Sequence, residues 1–196
     1  MDQPTAGLFI TKGMKVSVEE FSLKMLENGS IETNKMILHT GLDMCPYWLN
    51  IAWSSLLKTE RYHRKIITPS QNKLGEYLQK EFQVGMQTIM AACIAMDAYY
   101  ASVKEFANIP EEVSKKWREN GTARYKQISE TLKRVFVIPQ DIFIQIRELI
   151  KQGFELRDRA VHPNSGTDLP VLHPEANVLS DWRFSTFRYV NAKAVV

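Results

Sequence analysis

The residues of this sequence best suited to chemistry stand together in one stretch, Arg157-Asp158-Arg159-Ala160-Val161-His162. An arginine is a fixed cation whose planar fork of donors fits a phosphate or a carboxylate. A histidine five residues later can take or give a proton near neutral pH. Held in one pocket, such a pair could cleave RNA without a metal. The imidazole would take the proton from a 2′-hydroxyl, or give one to the leaving oxygen, while the guanidinium stabilises charge growing on the phosphorane. DNA has no 2′-hydroxyl, so the site would act on RNA. The spacing alone is a weak signal. The case rests on how the surrounding elements aim the two side chains.

The stretch closes a helix expected over residues 141–160, opened by Pro139-Gln140-Asp141. At about 100° per residue, Ile142, Ile146, Ile150 and Gly153 form one apolar stripe, flanked by Leu149. Arg157 falls within about 20° of the centre of that stripe and Arg159 nearly opposite. Arg157 is therefore expected to face the core or a second subunit, and Arg159 the solvent. A buried guanidinium needs a planar acceptor. Asp97, the one acid in the apolar middle of a long preceding helix, is the expected partner. Pro163 keeps its predecessor out of the α region, so the helix must end at or before His162. The imidazole then lies just past the C-terminus, where the helix dipole favours a positive charge.

These residues resemble the R-polar-x3-H signature of HEPN domains (higher eukaryote and prokaryote nucleotide-binding). The resemblance covers about residues 72–196: a long apolar helix, short helices, the helix that carries the motif, and a closing helix. It implies an all-α, up-and-down helical bundle. It also implies a metal-independent endoribonuclease of a defence or toxin–antitoxin type, without a cofactor. Arg157 and His162 take the places of the catalytic pair, Asp158 that of the polar residue after the arginine, and Asp97 that of an acid some members carry in the long helix. Many members dimerise so that two motifs share one cleft, so a homodimer through the motif face is expected. RNA is then the candidate substrate, and an antitoxin or other protein the candidate partner. Some members have lost nuclease activity and serve as binding modules. His162 is followed by Pro163-Asn164 rather than x-Tyr, so the tyrosine modification known in part of the family is not implied. Open access of Arg157 and His162 to one cleft would favour the enzyme. An Arg157 sealed by Asp97, with His162 in bulk solvent, would favour the module.

The elements that must position this site are legible in outline. A helix is expected over 47–65, with Trp48 and Trp53 as core residues. A longer one is expected over 71–106, where Phe82, Met86, Ile89, Cys93, Met96, Tyr100 and Val103 recur at three and four. Short helices over 111–119 and 122–136 follow, with a closing helix over 181–196 anchored by Trp182, Phe187 and Val190. Thr68-Pro69-Ser70 breaks the chain, and Asn164-Ser165-Gly166-Thr167 with the prolines that follow makes a loop. Residues 1–66 read as an N-terminal extension and 67–196 as the HEPN-like domain. Within the extension, segments 8–11 and 14–18 could form a short hairpin around Lys12-Gly13, or a helix could begin at Ser17.

The 196 residues carry a net charge of +3 and only two cysteines, Cys45 and Cys93. The charge permits a polyanionic partner without demanding one. Trp117 with Lys115, Lys116 and Arg118 is the best basic–aromatic surface for RNA. His39, His63 and His173 show no metal-ligand spacing, and His173-Pro174 reads as an exposed loop. No stretch is long and apolar enough to span a membrane. No basic, apolar leader follows Met1, and the two free cysteines suit a reducing cytoplasm. The sequence ends at Val196 without a helix C-cap signal, as a truncated chain would.

Overall fold

A computed structural model describes residues 8–34, 36–68, 71–162 and 167–196. The chain divides into two units, Met1–Asp43 and Met44–Val196. The first holds β1 (Met14–Val18), β2 (Leu23–Met25), β3 (Ile31–Thr33) and β4 (Leu38–Leu42). β2 and β3 form a tight antiparallel hairpin. Its turn is closed by Gly29 at φ +79°, a left-handed position that suits glycine, and by the Asn28 carboxamide accepting from the Ser30 N–H at 3.0 Å. β1 pairs antiparallel with β4, Met14 opposite Leu42 and Val18 opposite Leu38.

The strand pairing differs from the local hairpin considered over 8–18. β1 takes its partner from residues 38–42, and residues 8–11 form no strand. Nor does a helix begin at Ser17, which lies in β1 opposite His39. The period-two alternation of Met14, Val16 and Val18 prevails over the capping pattern. None of the described side chains of this unit is buried.

The second unit is helical: α1 (Cys45–Ile67), α2 (Leu74–Val103), α3 (Glu111–Glu119), α4 (Arg124–Val135), α5 (Gln140–Val161), a two-residue ribbon of β5 (Val171–Leu172) and β6 (Leu179–Ser180), α6 (Trp182–Thr186) and α7 (Tyr189–Val195). Short 3-10 turns flank α2 at Gln71–Lys73 and Lys104–Ala107. α2 is the axis. Its Ile89 and Cys93 are buried in a cluster with Leu56 of α1, Ile128 of α4, Ile150 and Phe154 of α5, and Phe187. Phe82, Met86, Met96 and Tyr100 pack against that cluster, as the spacing of the stripe requires.

α1 lies in this unit and not in an extension, so the boundary falls at 43/44 rather than at 66/67. Its Ala52, Ser55, Leu56, Thr59, His63 and Ile66 recur at three and four and are buried. Ala52 meets Ala91 and Ala92 of α2, small residues that let two backbones approach. Trp48 packs on these alanines. Trp53 does not join the core: it is 56% exposed. It stands one residue, about 100°, from the buried Ala52.

The closing helix expected over 181–196 is two helices. Arg188 is extended between them, at φ −75° and ψ 167°. The break lets Phe187 enter the core and sets its carbonyl against Gly85 of α2, where a Cβ would lie 1.9 Å from the oxygen. Val190, expected as an anchor, is 46% exposed. The break at Pro69 and Ser70 and the loop over residues 163–166, Pro163 included, lie outside the described residues. Among those described, no helix is long and apolar enough to cross a membrane.

Candidate functional site

α5 buries Phe143, Ile150, Gly153 and Phe154. Ile142 and Leu149 are exposed, so the buried face lies slightly round from the stripe read in the sequence, toward Phe143 and Phe154. Gly153 admits the neighbouring elements: a Cβ there would stand 3.2 Å from Val195 Cγ1 and 3.6 Å from Cys93 Sγ. One turn on, Arg157 stacks its guanidinium over the Phe154 ring at 4.5 Å. Its Nη1 donates to Asp97 Oδ2 at 3.4 Å, and its Nε and Nη2 donate to Asp158 Oδ1 at 3.1 and 2.8 Å. The side chain is 27% exposed, whereas Arg159 lies on the open side. Helical phase thus separated the two arginines correctly and paired Arg157 with Asp97.

Asp97 holds a second cation that the sequence reading missed. Arg124, in the first turn of α4, places Nε 2.9 Å from Asp97 Oδ1. Its guanidinium lies 4.8 Å over the Tyr100 ring, and Nη1 donates to Gln127 Oε1 at 3.3 Å. A cation in the first turn of a helix opposes the helix dipole. That misplaced charge is the signal that could have marked Arg124 as the partner of a distant acid.

His162 follows α5 as its C-cap, at φ −119° and ψ 66°, and its N–H donates to the Asp158 carbonyl at 2.8 Å. The residue is exposed. The motif therefore comes together in part. Arg157, Asp158 and Asp97 are in direct contact, while His162 shares the backbone of the site and opens to solvent. Cys93 lies against Gly153, and burial pushes its thiol up to about 12, with Arg157 opposing the effect and Asp97 and Asp158 adding to it. A thiol so held is no nucleophile at neutral pH.

The other expected surface is divided. Lys115, Lys116 and Arg118 are exposed on α3, Lys115 lying 3.8 Å from Glu119. Trp117 is half-buried and lines a groove whose cations come from other helices: Lys126 and Lys133 of α4 and Arg147 of α5.

A buried ionic cluster also escaped the sequence reading. His63 Nδ1 lies 2.8 Å from Glu81 Oε1, which also accepts the Tyr189 N–H at 3.0 Å. Arg188 Nε stands 3.1 Å from Glu175 Oε1, and His173 Nδ1 3.5 Å from Glu175 Oε2. His173, expected on an exposed loop, is 0% exposed. It opens the β5–β6 turn, donating its N–H to the Val178 carbonyl at 2.8 Å and accepting the Ala176 N–H on Nδ1 at 3.2 Å. Burial holds its pKa below the usual range, with the Glu175 charge opposing. Burial likewise raises the Glu81 carboxyl, against the bonds from Tyr189 and His63. Glu81 falls between the buried Leu78 and Gly85 on the inward phase of α2. That phase was readable, whereas nothing local to His173 signals its burial.

Set against known protein families, characterised proteins and solved structures, the chain matches none.

Proposed function

We propose that this chain is a HEPN-like protein acting on RNA in the cytoplasm, as a metal-independent endoribonuclease of a defence or toxin–antitoxin type. One observation carries the reading. Arg157 is aimed by Asp97 and Asp158 on the inward side of α5, and His162 ends the same helix. In this reading His162 moves the proton, Arg157 holds the phosphorane charge, and Asp158 fixes the arginine. A half-exposed arginine and an open histidine make half a cleft, so a second copy facing the motif completes the site. An antitoxin-like protein would act by covering that face.

A specific feature favours a second reading. Nε, Nη1 and Nη2 of Arg157 all face carboxylates, and His162 opens to solvent. A non-catalytic module that binds nucleotide, RNA or a protein partner needs no more. Incubation of the purified chain with single-stranded RNA and excess chelator separates the two. The enzyme reading expects cleavage that drops at least about 100-fold in Arg157→Ala and in His162→Ala. Cleavage that survives both substitutions, or none above background in the parent chain, sinks it.

A further inference from the structure

The groove between α3, α4 and α5 has a volume of about 500 Å³, within the range that holds a nucleotide-sized ligand. Trp117 and Phe143 supply its aromatic lining, and Lys126, Lys133 and Arg147 bring three positive charges to it. These cations come from separate turns of two helices, yet all border one opening. Glu130 is the acid of the lining, and it is committed to Arg134, whose Nε donates to it at 3.0 Å. Among the described residues no carboxylate lies in ion-pair contact with Lys126, Lys133 or Arg147, and Lys126 Nζ stands 5.9 Å over the Tyr125 ring. Lys133 Nζ is held 4.9 Å over the Phe143 ring. A neighbouring cleft along α5 shares Phe143 and Arg147, so the lined surface continues past the first opening.

Three cations against the one carboxylate of Glu130 leave the concave surface net positive, which attracts an anion. A tryptophan beside them offers a face on which a base can stack. We infer that this groove binds a phosphorylated nucleoside, base against Trp117 and phosphate among Lys126, Lys133 and Arg147. The nucleoside is either a free nucleotide or one unit of a single RNA strand. The site is separate from the Arg157 motif: Arg147 lies ten residues earlier, about 15 Å along α5. The inference holds whether or not the motif cleaves RNA.

Binding of the full chain, carrying His162→Ala so that the probe stays intact, is measured by fluorescence anisotropy with a labelled eight-nucleotide oligoadenylate, and by calorimetry with AMP, both in chelator at low salt. Lys133→Ala and Arg147→Ala should each weaken binding about tenfold. Each should also flatten the salt dependence by about 0.7 in log–log slope for the strand. Trp117→Leu, which keeps an apolar side chain but removes the ring face, should weaken it about tenfold without changing that slope. Lys58→Ala with Arg61→Ala, on the exposed side of α1, should leave binding as it was. Saturable AMP binding sensitive to the groove substitutions identifies a free-nucleotide site. Groove-sensitive binding of the oligomer alone identifies an RNA strand. The inference is overturned if neither probe binds saturably, if the groove variants, folded by circular dichroism, bind like the parent, or if the α1 pair weakens binding as much as they do.

Discussion

Asp97 shows how much one carboxylate can organise. It faces Arg157 from α5 on one oxygen and Arg124 from α4 on the other. Charge on the acid thereby ties three helices at the end where the motif lies. A half-exposed network of this kind contributes little to stability, because solvent screens it. Its consequence is orientation: Arg157 is held between Asp97 and Asp158, which both accept from its guanidinium. His173 presents the opposite case, a titratable group that the fold keeps neutral. Burial depresses its pKa from 6.5, against the Glu175 charge and with the Arg188 charge adding to the effect. The folded state therefore binds fewer protons than the unfolded one below pH 6.5. Its contribution is fully present above that pH and is lost as the pH falls toward the folded-state value. Glu81, raised from 4.5, has the reverse sign: its contribution is complete below 4.5 and is lost as the pH rises. His173→Asn, whose carboxamide oxygen can still accept the Ala176 N–H, should remove the first effect and leave the second. Urea midpoints between pH 7.5 and 5 should then fall less steeply in the variant than in the parent. The difference is bounded by about 1.4 kcal/mol per pH unit. Equal slopes would show that His173 does not titrate with folding.

Most of the helical elements can be read from spacing because each is bordered by proline, glycine or asparagine and carries one apolar stripe. The helix ends at Asn108, Asn120-Gly121 and His162 follow from such local chemistry. The closing segment does not, because its break is imposed from outside. Phe187 is drawn into the core, and its carbonyl reaches the backbone of α2 at Gly85. Pairing of β1 with β4 is likewise a distant event that no local pattern near residue 18 announces. Two glycines of α2 test the first point. Gly75 is exposed and has open space where a Cβ would stand. Gly75→Ala should therefore stabilise the chain by about 0.5 kcal/mol through helix propensity and unfolded-state entropy. Gly85→Ala gains the same propensity but sets a methyl 1.9 Å from the Phe187 oxygen, a backbone atom that can retreat only by moving α6 and α7. Overpacking of this kind should cost about 1–3 kcal/mol net. Thermal unfolding of the two single variants reads both signs, and a Gly85→Ala chain as stable as its parent would remove Gly85 as the seat of that break.

At the scale of the molecule, the two units differ in what holds them. Residues 44–196 bury a continuous cluster drawn from α1, α2, α4, α5 and α7, with α2 at its axis. The described part of residues 1–43 has two ribbons of two strands each and no buried side chain, with Val16, Val18, Leu38 and Leu42 all exposed. A two-stranded ribbon is marginal in water because it buries too little to offset its ordering entropy. The cooperative stability of the chain should therefore reside in the helical unit. Starting it at Met44 keeps Cys45 and Pro46, so α1 retains its first turn and the proline there. The fragment 44–196 should unfold in one transition, with Tm within about 3 °C of the full chain, since a loss of 1 kcal/mol shifts a domain of this size by about that much. Residues 1–43 alone should show no transition. A fragment that melts far lower, or without cooperativity, would show that the first unit contributes to the stability of the second despite burying none of its own side chains.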